Sequence, residues 1–600
     1  MNTALAALQR LRANKTSSVA EVLLAAKVPT PPPRPAAAPL VSASAALLRT
    51  RSAAPTEARR IGELPTWDYA ALMAQAQPGG PLDYTARLRT PTGTMQLKPI
   101  QNLALYWIEQ KKGLVGPLAV GSGKTLISLL ASVVLKAQRP VLFVPPTLQL
   151  PLRREIEKLQ LHFQLPKNLH IIPYSQLSVA KSTALLEELK PDLIICDEAH
   201  MIKNRSAART KRVTRYFRQF PTTRFVALSG TLTSKGLRDY AHLCELALRE
   251  GSPLPVYEAD LIAWSNCIDS GSQPQGRDWS IFAAFSDVRH IVDVPRRQDE
   301  ARAVFRQRFT TTPGVVATTE ASVQCSLNLY SRPLNPPAAV TGALQGAHLT
   351  WERPDGETMD SALALWRLGM QLSQGFYLRW VWPNGVVDHE WLNARAEWHR
   401  QVRYVTQRNL TGFDSPFLVW QGVSRGRLTS PEIVRAWTAW EGVKHRPTPP
   451  TETVWISDFL IRDAVRWHRE HPKGLIWHSD LATEEALRAT GIPTYGRGEV
   501  PPLDGSRGGM ALSVRVHGTG LNLQHAHSEN LILSFPSSGK TMEQLVGRTH
   551  RQGQEEDEVN LFYYQHTADA REAILKARAD ARYIEETQGS PMKLCYGTWG

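Results

Sequence analysis

Near the far end of the chain, Gln544-Leu545-Val546-Gly547-Arg548-Thr549-His550-Arg551-Gln552-Gly553-Gln554 lies more than four hundred positions downstream of Gly121-Ser122-Gly123-Lys124-Thr125. The earlier element is a glycine turn closed by Lys-Thr, a sequence that holds phosphate on bare backbone N–H groups at a helix N-terminus. The later one sets two arginines three apart beside glycine and glutamine, which suits charge neutralisation on a transferring phosphoryl group. A chain carrying both is expected to fold as two units that share one phosphate site across a cleft.

The first element has the context it needs. Leu97-Lys98-Pro99-Ile100-Gln101 leads into a helical pattern marked by Leu103, Tyr106 and Trp107. Leu118-Ala119-Val120 is predicted as a short buried strand, and Leu126-Ile127-Ser128-Leu129-Leu130 opens a helix after the turn. Lys124 is expected to reach the β/γ oxygens of ATP and Thr125 to offer its hydroxyl to Mg2+. Leu118 occupies the first glycine position of the full pattern, so a plain Gly-Ser turn before a core helix is the alternative for this loop taken alone.

Short apolar runs at 141–144, 169–172, 193–196 and 225–228 read as strands of an open parallel sheet, giving an α/β fold class. Ligand-binding residues in such sheets sit at the carboxyl ends of strands. Asp197 and Glu198 fall there, Asp197 placed to hold the metal and Glu198 to orient or deprotonate a water. Ser229-Gly230-Thr231 follows the next strand, either as a bridge to the neighbouring unit or as an ordinary turn. In the C-terminal half, 474–479, 511–514 and 531–534 read as further strands, with Gly518-Thr519-Gly520-Leu521-Asn522-Leu523 between the last two. Arg548 and Arg551 are expected on one face of a helix that continues from Gln544.

The order of these motifs resembles superfamily-two helicases and translocases, specifically the DEAH-box, Swi/Snf-like branch in a compact bacterial or viral form. The matching residues are Asp197-Glu198-Ala199-His200-Met201-Ile202-Lys203-Asn204, Gly518 to Leu523, and Gln544 to Gln554, with Ile172 to Leu177 as a weaker match. The resemblance covers about residues 90–250 and 450–570. It implies two tandem RecA-like domains with a mainly helical insertion between them. It implies that Gln101 contacts adenine, that Gly121, Ser122, Gly123, Lys124 and Thr125 cradle the phosphates, and that Gly520 lines the nucleotide cleft. Thr125 and Asp197 would hold Mg2+, while Gln544, Arg548 and Arg551 would complete the catalytic set around Glu198. The branch moves along duplex DNA without having to separate strands. Two positions depart from it: Leu118 to Ser122 replaces the usual acidic pair and Met-Gly-Leu, and Leu232 stands where proline is favoured.

Composition agrees with a polyanionic partner. The net charge is +15 and the pI about 9.6, which favours nucleic acid. Five scattered cysteines without a C-x-x-C pair argue against a zinc finger or a disulfide framework and fit a reducing cytoplasm. No apolar run suits a membrane span. The expected division is a basic Ala/Pro-rich disordered tail over 1–60, an ATP-binding domain over 61–250, a helical insertion over 251–450, a second domain over 451–585 and a tail over 586–600. An organellar transit peptide is the alternative for the first segment, where 3–26 could form a short helix. In the insertion, tryptophans alternate with arginines, and 363–378 and 391–405 have helical spacing; these aromatics read either as a helical core or as a base-stacking face. The functional expectation is an ATP-dependent translocase on duplex DNA. An RNA helicase and a binding scaffold that has lost turnover are the alternatives.

Overall fold

The computed structural model describes residues 54–600 apart from 233–235, 270–276, 283–284, 286–296, 319–322, 324, 358, 360–361, 408–412 and 414. The segment 3–26 and most of the expected tail lie outside the described residues. The tail ends sooner than expected, because Ala54–Glu63 is a helix, α1. Its Glu57 is buried and accepts from Val256 N at 2.9 Å, which ties the helix to the first sheet's surroundings.

That sheet is wholly parallel. Its strands are β1 (Gly113–Pro117), β2 (Pro140–Val144), β3 (His170–Pro173), β4 (Leu193–Asp197) and β5 (Arg224–Ser229), in the order β1-β5-β4-β2-β3. Helices α2 (Pro99–Lys111), α3 (Lys124–Val134) and α4 (Ala208–Gln219) belong to this half. Strands β1, β2 and β4 are buried along their whole length, as a sheet covered on both faces requires. The strand before the glycine turn is 113–117, not 118–120. Leu118 N gives the last bond to β5, at Ser229 O, and shares it with Gly116 O, both at 2.9 Å, a tight turn that ends the strand.

From α5 (Arg297–Thr310) the chain returns along the outer edge of β1, where Val115 and Val315 form a parallel bridge. It then enters a second parallel sheet earlier than 451, with β6 (Ser326–Ser331). After α6 (Ala362–Leu372), β7 (Phe376–Trp380) pairs antiparallel with β8 (Thr451–Trp455) as a two-stranded stalk. The helical spacing over 363–378 therefore breaks at 372, and Phe376 to Trp380 extend. Between the stalk strands stand α7 (His389–Gln407), α8 (Pro416–Ser424) and α9 (Pro431–Val443). Trp398 and Trp437 pack with Val402, Val419 and Ile433 as a small core, and Trp391 with Ala394 and Val443 as another, while Trp351 and Trp420 are exposed. The insertion thus hangs from the second half rather than joining the halves, although Lys211 of α4 donates to the Thr406 carbonyl of α7.

The second sheet continues with β9 (Leu475–His478), β10 (Thr494–Tyr495), β11 (Met510–Ser513), β12 (Glu529–Ile532), β13 (Glu558–Tyr563) and β14 (Thr598–Trp599), in the order β10-β11-β9-β12-β13-β6-β14. Helices α10 (Gly539–Val546), α11 (Ala568–Gln588) and α12 (Lys593–Tyr596) complete it. Residues 586–600, expected as a tail, are integral: Trp599 pairs with Leu329 of β6, and Leu594 is buried in the sheet's core. The far end of α11 reaches the first sheet, where Gln588 Oε1 accepts from Leu232 N at 3.1 Å and Ser590 Oγ donates to Pro117 O at 3.1 Å. The architecture is α/β, two parallel sheets flanked by helices.

Candidate active site

The turn after β1 is shaped by two glycines with positive φ. Gly123 has φ +79°, and a Cβ there would lie 2.0 Å from Gln101 Nε2. That amide donates to Ser122 O at 3.3 Å, while Gln101 Oε1 accepts from Lys98 N at 2.8 Å. Gln101 therefore braces the phosphate loop from beneath. Gly121 also has positive φ (+91°). Lys124, the first residue of α3, rests its Nζ on the carbonyls of Leu118 (3.0 Å) and Ala119 (3.2 Å). Burial pulls its ammonium below the ordinary lysine value, and Glu198 and Asp197 oppose that shift.

Two residues that carried no sequence signal complete the loop. Thr318, on the returning segment, accepts from Ala119 N at 3.0 Å and lies 3.3 Å from Ser122 Oγ. Lys98 donates to Gly121 O at 3.1 Å and to the Gln552 side chain of the second half. Neither pairing is local, so no spacing rule reveals it.

At the carboxyl end of β4, Asp197 Oδ1 accepts from Glu198 N at 3.0 Å. Burial and the neighbouring Glu198 charge push the Asp197 carboxyl above its ordinary value. Glu198 itself sits in the left-handed region, φ 56° and ψ 52°, which costs a non-glycine residue on the order of 1–3 kcal/mol and is found at sites that over-determine it. The determinants here are on Oε2. His200 Nδ1 lies 3.0 Å away, Ser229 Oγ 3.3 Å and Gln544 Nε2 3.5 Å. Ser229 Oγ is also 2.7 Å from Thr231 O, so its single proton serves two acceptors. The Glu198–His200 contact has ion-pair distance, but burial, with Lys540 nearby, pulls His200 down to about 4. At neutral pH it is a neutral N–H donor. Burial opposes ionisation of Glu198, yet the His200 bond and the charges of Lys124 and Lys540 outweigh it and hold the carboxyl below its ordinary range. The Ser229-Gly230-Thr231 turn thus braces the acidic box through Ser229, which reaches Glu198, His200 and Thr231.

Gln544 comes from α10. Arg548 and Arg551 do not share that helix, which ends at Val546; they lie in the turn beyond it. Arg548 is 6% exposed, donating Nε to Gln544 O (2.8 Å) and Nη1 to Leu521 O (3.0 Å). Burial, then Arg551, lowers it to about 10, so it remains a cation at neutral pH. Arg551 donates Nη1 to Asn522 Oδ1, and its Nε has no partner among the described residues. The two halves meet closely here. A Cβ on Gly547 would lie 3.1 Å from Val120 Cγ1, and one on Gly520, at φ +85°, would lie 2.3 Å from Leu148 Cδ2. Gly520 therefore packs against Leu148 of the first half.

Thr125, half-buried in the first turn of α3, offers a hydroxyl, and Asp197, at the end of β4, a carboxyl. No group of three or more His, Cys, Asp or Glu that could cage a metal occurs among the described residues. One carboxylate and one hydroxyl suit Mg2+, which keeps waters and binds with substrate phosphates.

No curated protein matches the chain. No helix among the described residues is long and apolar enough to cross a membrane. Residues 91–234, which hold the phosphate loop, the acidic box and Ser229, match the family described as type III restriction enzyme, res subunit, a superfamily-two helicase-like ATPase family.

Proposed function

We propose that the protein is an ATP-hydrolysing, nucleic-acid-dependent translocase of the DEAH-box, Swi/Snf-like type, working mainly on duplex DNA. The single observation that carries this reading is the Gln544–Glu198 contact. It brings the acid of the first half and the arginine turn of the second to one pocket beside Lys124. A site completed only by closure couples ATP turnover to relative movement of the halves. The net charge of +15 supports a polyanionic track.

Lys124 exchanges its carbonyl partners for phosphate oxygens. Thr125 and Asp197 would hold Mg2+, which would supply positive charge against the phosphates. Glu198 Oε2 is occupied by His200, Ser229 and Gln544. Oε1 is therefore the oxygen that orients the attacking water and takes its proton as the new P–O bond forms in line with the leaving oxygen. Arg548 and Arg551 offset the charge developing on the transferred group, a contribution worth roughly 10³ to 10⁵ in rate in studied NTPases.

The test is ATP hydrolysis by wild type and Lys124→Ala without polymer and with single-stranded DNA, duplex DNA or duplex RNA. Stimulation by duplex DNA that Lys124→Ala abolishes is expected. Stimulation by RNA alone would make the protein an RNA helicase. Absence of turnover with every polymer would leave a binding scaffold.

A further inference from the structure

The first turn of α10 carries a cation that the phosphate chemistry above leaves unused. Lys540 is 9% exposed, and Gln544, one turn further on, is the residue that donates to Glu198 Oε2. Residues four apart share one face of a helix. That face is turned to the acidic box, for the charge of Lys540 acts on Glu198 and His200 of the first half, and Lys203 acts back on Lys540.

Burial of a lysine ordinarily requires a direct partner, and the neighbouring helix turn shows one. Lys593 is equally buried, and its Nζ lies 2.6 Å from Glu543. Lys540 has no such ion pair among the described residues. Burial lowers its ammonium to about 7, and the main attraction pulling it back is Glu198 across the cleft. Lys593 is thus committed to holding the fold, whereas Lys540 is oriented toward the acid that activates water.

We propose that Lys540 is a positioning residue for ATP hydrolysis, carried by α10 to Glu198 only when the second half sits against the first. The inference rests on the ATPase reading above. An approaching triphosphate repels the Glu198 carboxylate, which His200, Ser229 and Gln544 hold through Oε2. Lys540, one turn before Gln544 on α10, adds positive charge to that carboxylate from the second half. Closure then delivers three things from one short segment: Gln544 to fix Oε2, Arg548 and Arg551 to the transferred phosphoryl group, and Lys540 to the acid.

The test uses the full chain with saturating duplex DNA and compares wild type, Lys540→Met, Lys540→Arg and Lys124→Ala. Methionine keeps an unbranched apolar stem and removes only the charge. Lys540→Met should lower kcat about 10- to 100-fold, less than the 10²–10³ lost with a group touching the reacting atoms. KM for ATP, binding of a fluorescent ADP analogue and Tm should stay within twofold or 2 °C of wild type, a tolerance of about 1 kcal/mol or less. Lys540→Arg should recover most of the rate. Wild-type turnover by Lys540→Met would overturn the proposal. So would a joint loss of kcat, nucleotide binding and Tm that arginine does not rescue, since that marks a structural lysine. Failure of the wild type itself to hydrolyse ATP with any polymer would instead sink the ATPase reading on which the proposal rests.

Discussion

Breaking the Lys593–Glu543 pair tests whether residues 586–600 belong to the working fold. Both side chains are about 5% exposed or less, Nζ lies 2.6 Å from Oε1, and Lys593 N donates to Oε2 at 2.7 Å. Lys593→Met leaves the Glu543 carboxylate buried without a counter-charge, a loss of about 3–5 kcal/mol. The surviving backbone donor places the expectation near the lower end, about 3 kcal/mol. In Lys593→Met/Glu543→Gln the charge is gone and the amide oxygen still accepts that backbone N–H, so the loss should shrink to about 1 kcal/mol. The double variant should therefore be about 2 kcal/mol more stable than the single. At roughly 2–4 °C per kcal/mol for a unit of this size, the single variant should melt about 6–12 °C lower and the double only a few degrees lower. Scanning calorimetry with urea titration would read both. A single-variant loss under about 1 kcal/mol, or a double variant no better than the single, would refute the reasoning. Because the Lys593–Glu543 pair makes no contact with Glu198 or Lys124, ATP turnover should be normal well below the lowered Tm and collapse with it.

Other predictions follow from the same geometry. Glu198→Gln should lose ATP turnover by about 10²-fold or more while retaining nucleotide binding, measured by single-turnover hydrolysis and analogue titration; retained turnover would remove Glu198 from the chemistry. Gly123→Ala forces a Cβ to within 2.0 Å of Gln101 Nε2 at φ +79° and should cost about 1–3 kcal/mol, seen as roughly 5- to 150-fold weaker nucleotide binding. Burial holds His242, His478 and His550 down at about 4. Their native pKa values lie below the unfolded one, so stability is full above about pH 6.5 and falls as pH drops toward 4, each taking up one proton on unfolding. Urea unfolding between pH 7 and 4.5 should show that decline, and His242→Asn should reduce its slope by up to about 1.4 kcal/mol per pH unit; an unchanged slope would count against it.

The parts of the site that were legible in the sequence are those whose chemistry is local. A glycine turn closed by Lys124-Thr125, adjacent acids at a strand end, and Gln544 with Arg548 and Arg551 each announce themselves by residue type and spacing. The parallel α/β class was legible for the same reason, since buried strands read as short apolar runs. What failed was assignment by apolarity or period alone. Leu118-Ala119-Val120 is apolar because it lies under the P-loop and against Gly547, not because it is a strand. The spacing after Gln544 suits a helix, but α10 stops at Val546 and the arginines take a tight turn that also bonds Leu521 and Asn522. Lys98, Thr318 and Lys540 escaped notice because their partners are distant in sequence.

The same non-local logic has a consequence for synthesis. Strand β6 lies between β13 and β14, so both of its neighbours in the sheet are made long after it. At about 5–20 residues per second, Leu327 and Leu329 wait roughly 10–45 s for β13 to emerge. The first sheet, whose last strand is β5, is already complete by then. The nascent chain therefore carries a complete first sheet tethered to a strand with two open edges. For that interval its fate depends on how well α1 to α5 and the stalked helices shield that strand from other chains.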